Sequence, residues 1–329
     1  MKVNINYVST AVAIWMLQFN YFIGMSTYKY TGVGKTFENV CLIVAIIAII
    51  IHYIFDKNVR IKKSSFVLIC LLPIMAFYTV AATSGGTMIK MLMFALSFKG
   101  IPKKQIWKYY YKSTITALFF IFISSCLGII EKTKILKNGT YAYGLNPNIL
   151  AIAIFFVLII RLYLLEKKTK IWWEGIIVAI IINEIIKCRS AVVLLALLSL
   201  IMFFHIMRNI DIRILAWVGS ILPVAMSFFS IFIAQNFDMN NTDWLRVNRF
   251  MSARPYLYHL YYINFPINLF GNYFDKTNYG AMDNTYLMLL FRYGIFIYVI
   301  YMIIFLITVA VAKKRQDRWC LYITIIYFV

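Results

Sequence analysis

The chain has 329 residues, 63% of them hydrophobic and only 14% charged, against about 25% charged in a soluble globular domain. Thirty-three Lys and Arg stand against 12 Asp and Glu, a net charge of +21. The hydrophobicity excludes a soluble fold, and it makes the charge a matter of membrane topology rather than of nucleic-acid binding.

Apolar runs near the ~20 residues that a helix needs to cross a bilayer recur along the whole chain. Backbone amides find no water in lipid, so such runs must be helical. Spans are expected at about 5–24, 37–55, 64–82, 86–98, 112–130, 147–165, 171–186, 188–207, 212–234 and 284–312. The fold expected is an all-α polytopic integral membrane protein with about 10–11 transmembrane helices, one transmembrane domain over 1–329, and one large extracytoplasmic loop. The first run is too long for a signal peptide and lacks a small-residue cleavage site, so it counts as a helix. Residues 171–207 read as a hairpin turning at NEIIKCRS, since a single helix of that length would measure roughly 55 Å against a hydrocarbon core of about 30 Å. The apolar stretch 319–329 is too short to span; it is either the start of a further helix or re-entrant.

With Lys2 cytoplasmic, the inside segments hold 20 of the 33 basic residues, and the short outside loops hold seven. This is the positive-inside bias, and it makes anionic lipid headgroups a partner for the charge. The five cysteines are scattered without a CxxC pair and read as packing residues. His52 and His205 fall at inner span ends and read as interfacial. Lys90, four residues into a short span, either snorkels outward or lines a polar cavity.

Function is sought in the long outside loop, about 235–283, far beyond the two to eight residues usual between helices. It carries Trp244, many tyrosines and the only external histidine, His259. Pro255 sits where a helix starts, with Ser252 as a candidate N-cap, and an amphipathic helix is expected over 255–265. Arg246 and Arg249 share a helical face and Arg254 begins the next segment. Outside arginines run against the topology bias. They either pair with Asp238 or Asp243, or recognise a pyrophosphate or other anion through the guanidinium fork. Three further polar features fall at outer span ends. Arg189 stands in KCRSAVVLL. YGLNPNILA makes a turn in which Asn148 is the expected cap of the following helix. Asp283 and Asn284 open the last long span, where an N-cap and a dipole-favourable acid are ordinary.

Taken together, these segments resemble Wzy-type polysaccharide polymerases of the O-antigen polymerase and ligase superfamily. The family pattern is approximately N-R-x-x-S-G-R, a spacer, L-F-G, then D-N-x-Y-L-x-x-L-x-x-Y-G. This chain gives Ser252-Ala253-Arg254, Leu269-Phe270-Gly271, Asp283-Asn284, Tyr286-Leu287 and Tyr293-Gly294. KCRSAVVLL is similar to the family's S-R-[SG]-A segment and YGLNPN to its G-x-x-N-P-N segment. The resemblance covers about 139–312. Ala253 replaces the usual glycine, Cys188 stands where Ser or Thr often precedes the arginine, and Asp283 occupies a position that is histidine in many ligase-type members.

The resemblance implies a GT-C-like, metal-independent glycosyltransferase of the bacterial cytoplasmic membrane with no cofactor. It would move a growing glycan from undecaprenyl pyrophosphate to a new lipid-linked repeat unit, with a flippase and a chain-length regulator as implied partners. Arg189, Arg249 and Arg254 would bind the pyrophosphate, and Asp283 and His259 are the candidates for the base. Asn146, Asn148, Asn284, Tyr258 and Tyr261 would hold sugars. The alternatives are an O-antigen-type ligase or a polysaccharide flippase or transporter.

Overall fold

The computed structural model describes residues 5–55, 100–136, 139–165, 175–181, 210–251, 253–273 and 284–328, together with 90, 93–94, 96–98 and 195–196. They are almost entirely helical. Three helices among them are long and apolar enough to cross a membrane: Gly32–Phe55, Ile212–Asn236 and Thr285–Lys314. The runs expected at 64–82 and 188–207 lie outside the described residues, apart from a helical pair at 195–196.

The described residues fall into two compact units, one up to residue 196 and one from residue 210. In the first, α1 (Ile5–Gly24) packs mainly along α2 (Gly32–Phe55) and also against α3 (Lys103–Cys126), which in turn packs on α4 (Pro147–Leu165). The small residues Ala13, Ala45 and Ala48 are buried in one cluster of α1 and α2, letting the backbones approach. Polar groups point inward with them: Thr10 Oγ1 meets His52 Nδ1 at 3.3 Å, and Asn20 Nδ2 donates to the Glu38 carbonyl at 2.7 Å. His52 is 1% exposed, so it is a core histidine and not an interfacial one. Meanwhile Ile43, Ile47, Ile50 and Ile54 of α2 face outward. Apolar outside and polar inside is what lipid as solvent selects, because an unpaired polar group costs most there.

Lys90 Nζ bonds Glu38 Oε1 at 3.0 Å, a partner that the sequence reading did not name. Residues 131–142, read as loop in the sequence, contain a small antiparallel hairpin that pairs β1 (Thr133–Leu136) with β2 (Gly139–Ala142), Thr133 opposite Ala142. Hairpins like this are marginal alone. Here the flanks are strapped to the end of α1, with Thr27 N donating to Gly144 O at 2.8 Å and Gly144 N to Lys132 O at 3.3 Å.

The second unit is built on α5 (Ile212–Asn236), which contacts α7 (Arg254–Asn264), α8 (Thr285–Lys314) and α9 (Arg318–Phe328). Asp211 caps α5 through the Arg213 amide at 2.9 Å. Pro223 sits inside α5; the serine one turn on donates its Oγ to the Pro223 carbonyl at 2.7 Å. Trp217, Phe228 and Phe232 stay exposed on the outer face of the helix. The short α9 accounts for the terminal apolar stretch, with Leu321 fully buried.

Candidate functional site

The described part of the long loop, up to residue 273, packs on the end of α5. Phe237 ends that helix and is 3% exposed. Its ring lies 6.0 Å from Trp244, 6.2 Å from Tyr256 and 5.8 Å from His259, centroid to centroid. One aromatic thus pins both following helices, α6 (Thr242–Phe250) and α7. Asn241 starts α6 with its side chain accepting from Asp243 N at 2.9 Å and Trp244 N at 3.4 Å. Between α6 and α7 the chain turns through Ala253 at φ 64, a left-handed conformation that favours glycine. A glycine would take this conformation without strain, and this chain takes it with alanine. No side chain caps α7 from Ala253; instead Asn248 Oδ1, on the preceding helix, accepts from Tyr256 N at 3.1 Å.

The arginines divide by their surroundings. Arg246 pairs with Asp243 at 3.5 Å, with both side chains more than four-fifths exposed; such a pair contributes little. Arg249, in the last turn of α6, is exposed and has no ion pair among the described residues. Arg254 is half-buried at the first position of α7. Arg189 and Asp283 lie outside the described residues.

His259 is half-buried, and its Nδ1 lies 2.8 Å from the Ala234 carbonyl. A carbonyl only accepts, so Nδ1 carries the proton. Nε2 then has no hydrogen-bond partner among the described residues, which is the tautomer a general base requires.

The sugar-binding expectations fare differently. Tyr258 and Tyr261 are each 5% exposed, in one core cluster with Ile233, Leu287 and Phe291. No sugar reaches their ring faces, and both are packing residues. Asn284 is occupied within the fold: its Oδ1 caps α8 at Leu287 N, 3.0 Å, and its Nδ2 donates to Ser230 Oγ of α5 at 2.8 Å. The cap of α4 is Asn146, whose Oδ1 accepts from Asn148 N at 3.0 Å, with Pro147 at the first helical position. Asn148, expected to be the cap, is instead inside the first turn, where its side chain is exposed.

In the second unit α8 is broken. Its backbone widens into a π-turn over Leu289–Tyr293 and restarts at Gly294, φ 83. Such turns inside α-helices concentrate at functional sites. The segment 268–272 enters the break. Asn268 O accepts from Ile295 N at 3.0 Å and Leu269 O from Phe296 N at 3.1 Å. In return Asn272 N and Nδ2 donate to Phe291 O at 3.0 and 2.8 Å. Ile295 N, Phe296 N and Phe291 O are the helix groups that the break would otherwise strand. The two backbones pass so closely that a Cβ on Gly271 would strike the Arg292 carbonyl, and one on Gly294 would strike Leu269 and Gly271. The L-F-G and Y-G elements of the sequence are therefore two halves of one lock.

Sequence reasoning gave Arg292 no role. It sits in the π-turn, half-buried, with its guanidinium carbon 5.6 Å from the Tyr293 ring centroid. Its Nε is enclosed and has no hydrogen-bond partner among the described residues. A charge within an apolar run is costly, so its surroundings bear on function. The signal available in the sequence was the charge itself, eight residues into an apolar run. Compared with known proteins, the chain matches no family model, no curated protein and no solved structure.

Proposed function

We propose that the chain is a Wzy-type polymerase of lipid-linked oligosaccharide repeat units, a GT-C-like enzyme of the bacterial cytoplasmic membrane with its N-terminus in the cytoplasm. The observation that carries this reading is the pair of arginine-bearing helices α6 and α7 at the end of a membrane-length helix, in the same unit as a broken helix whose Arg292 Nε has no partner among the described residues. An interrupted spanning helix is where membrane proteins place ionic ligands, and Arg292 stands in such an interruption.

In this mechanism the acceptor sugar hydroxyl attacks the anomeric carbon of the growing glycan. The bond from that carbon to the pyrophosphate oxygen breaks, and undecaprenyl pyrophosphate leaves with the electron pair. Charge develops on phosphate oxygens, so preplaced guanidinium groups lower the barrier without a metal. Arg254 and Arg292 act there, with Arg189 and Arg249 as further contributors. The acceptor proton passes to Asp283 or to Nε2 of His259.

The test replaces Arg254 and Arg292 singly with lysine and alanine in the native host, at confirmed membrane abundance. Loss of one such donor lowers turnover by roughly 10²–10³-fold, so single repeat units replace the ladder on a gel. An unchanged ladder sinks the assignment. Loss of all outer-face glycan, single units included, indicates a transporter, and long lipid-linked glycan that never reaches its final acceptor indicates a ligase.

A further inference from the structure

The lock between segment 268–272 and α8 fixes the depth at which the loop sits. After its break α8 runs from Gly294 to Lys314, 21 residues. At 1.5 Å per residue that is about 31 Å, the thickness of a bilayer's hydrocarbon core. The helix ends on Lys313 and Lys314, cations suited to the far headgroups. The residues before the break add nothing to this crossing. Leu287 and Phe291 share one cluster with Ile233 and Ala234 in the last turn of α5, and Asn284 bonds Ser230 of the same helix. Toward the other end of the pair, the Val309 side chain lies 3.7 Å from where a Cβ on Gly219 would stand. Thr285–Tyr293 therefore stays level with the end of α5, and the hydrocarbon core begins near Gly294. The loop is tied to that boundary, because the carbonyls of Asn268 and Leu269 accept from Ile295 N and Phe296 N.

The segment INFPINLFGNY, residues 263–273, fits lipid rather than water. It carries no charged residue. Ile263, Leu269, Phe270 and Tyr273 are each more than half exposed, Phe270 at 60%. Outward apolar patches of this kind mark membrane or protein contacts. Its three asparagine amides are already bonded within the protein. Asn264 Nδ2 donates to Leu260 O at 2.7 Å, Asn268 Nδ2 to Asn272 Oδ1 at 3.0 Å, and Asn272 Nδ2 to Pro266 O at 2.8 Å. In water such amides have solvent to bond; at the edge of hydrocarbon they need acceptors from the chain itself. The patch also adjoins a surface that lies in lipid on this reckoning: Ile295 and Phe296, whose amides it holds, are outward-facing residues of the crossing helix.

We infer that segment 263–273 is an interfacial wedge, with Leu269 and Phe270 inserted into the leaflet at this end of α8. Its partner is the bilayer itself. Seated there, the wedge holds the arginine-bearing loop against lipid and puts Arg292, two residues before Gly294, at the depth of lipid phosphates. The inference rests on depth and exposure alone and stands whether or not the chain is a polymerase.

The test introduces an environment-sensitive fluorescent amino acid at Phe270 by amber suppression, in the full chain reconstituted into phosphatidylcholine vesicles. Native tryptophans and cysteines stay in place. Lipids with a nitroxide near the top or near the middle of the acyl chain quench from two depths, and iodide on both sides of the membrane quenches from water. The same probe at Ile303, an exposed residue midway along Gly294–Lys314, marks the centre of the core. The Phe270 probe is expected to emit to the blue of the free probe, to be quenched more by the shallow nitroxide than by the deep one, and to resist iodide. The Ile303 probe is expected to reverse the order of the nitroxides. Quenching at 270 by iodide and by neither lipid overturns the wedge. Shielding from all three quenchers means that protein covers the patch, a second copy or another part of this chain, and overturns the assignment to lipid. Leu269 serves as a second probe position, and thermal unfolding checks each variant, so a misfolded Phe270 variant does not leave the question open.

Discussion

Replacing Gly294 with alanine tests whether the lock between segment 268–272 and the broken helix holds the second unit together. Gly294 has φ 83 and ψ 171, a region open essentially to glycine alone, costing an L residue about 1–3 kcal/mol. Its Cβ would also lie 2.5 Å from the Leu269 carbonyl oxygen. That contact is with backbone, which cannot swing aside as a side chain does. Relief requires the strands of the lock to part, which breaks the bonds from Ile295 N and Phe296 N at about 0.5–1.5 kcal/mol each. The expected loss is therefore about 3–5 kcal/mol, in the range that single substitutions reach only through a named structural fault. The control is Gly32→Ala at the start of α2, where a Cβ meets nothing within 4 Å. Thermal unfolding in detergent followed by intrinsic fluorescence compares the two, and limited proteolysis around 265–273 shows whether the loop has come away. Equal melting temperatures for the two variants would refute the lock.

Ala253→Gly removes a left-handed strain of about 1–2 kcal/mol and adds roughly 0.5–1 kcal/mol of chain entropy. A net gain of about 0.5–1 kcal/mol is expected, read as a raised melting temperature; a lowered one contradicts the conformational reason given for glycine there. Asn284→Ala loses a cap and an interhelical bond to Ser230 and is expected to cost about 1–3 kcal/mol, with Asn284→Ser recovering part of it through the cap. Lys90→Met leaves the Glu38 carboxylate, about a quarter exposed, without its cation, and is expected to lower stability by about 1–2 kcal/mol after allowance for that exposure. Adding Glu38→Leu should restore most of the loss, and a double variant no better than the single refutes a structural ion pair.

The parts of the fold that depend on local pattern were legible in the sequence. The run expected at 212–234 is the helix Ile212–Asn236, and the amphipathic stretch expected at 255–265 is Arg254–Asn264, because hydropathy and proline placement act within a few residues. Facing was not legible. Tyr258 and Tyr261 point into protein, yet tyrosines lie all round α7, and composition cannot tell which of them face the core. The Asn284–Ser230 bond joins residues 54 apart, and the Gly271–Gly294 crossing joins two short motifs whose common purpose no spacing rule expresses. Asn146 as the cap of α4 was within reach, since proline prefers the first helical position and so marks the residue before it. The inward-facing His52 and Lys90 needed their partners Thr10 and Glu38, both on other segments.

The lock also orders the protein's birth. Its first half, residues 268–272, leaves the ribosome before its second half, which lies inside the last membrane-length helix. Until that helix is made and docked, the amides of Ile295 and Phe296 have no acceptor, and carrying each bare into hydrocarbon costs several kcal/mol. Entry of the first turns of this helix into the bilayer and closure of the loop over them are thus a single event. A chain stopped between residues 273 and 294 has the first half of the lock and nothing for it to close upon.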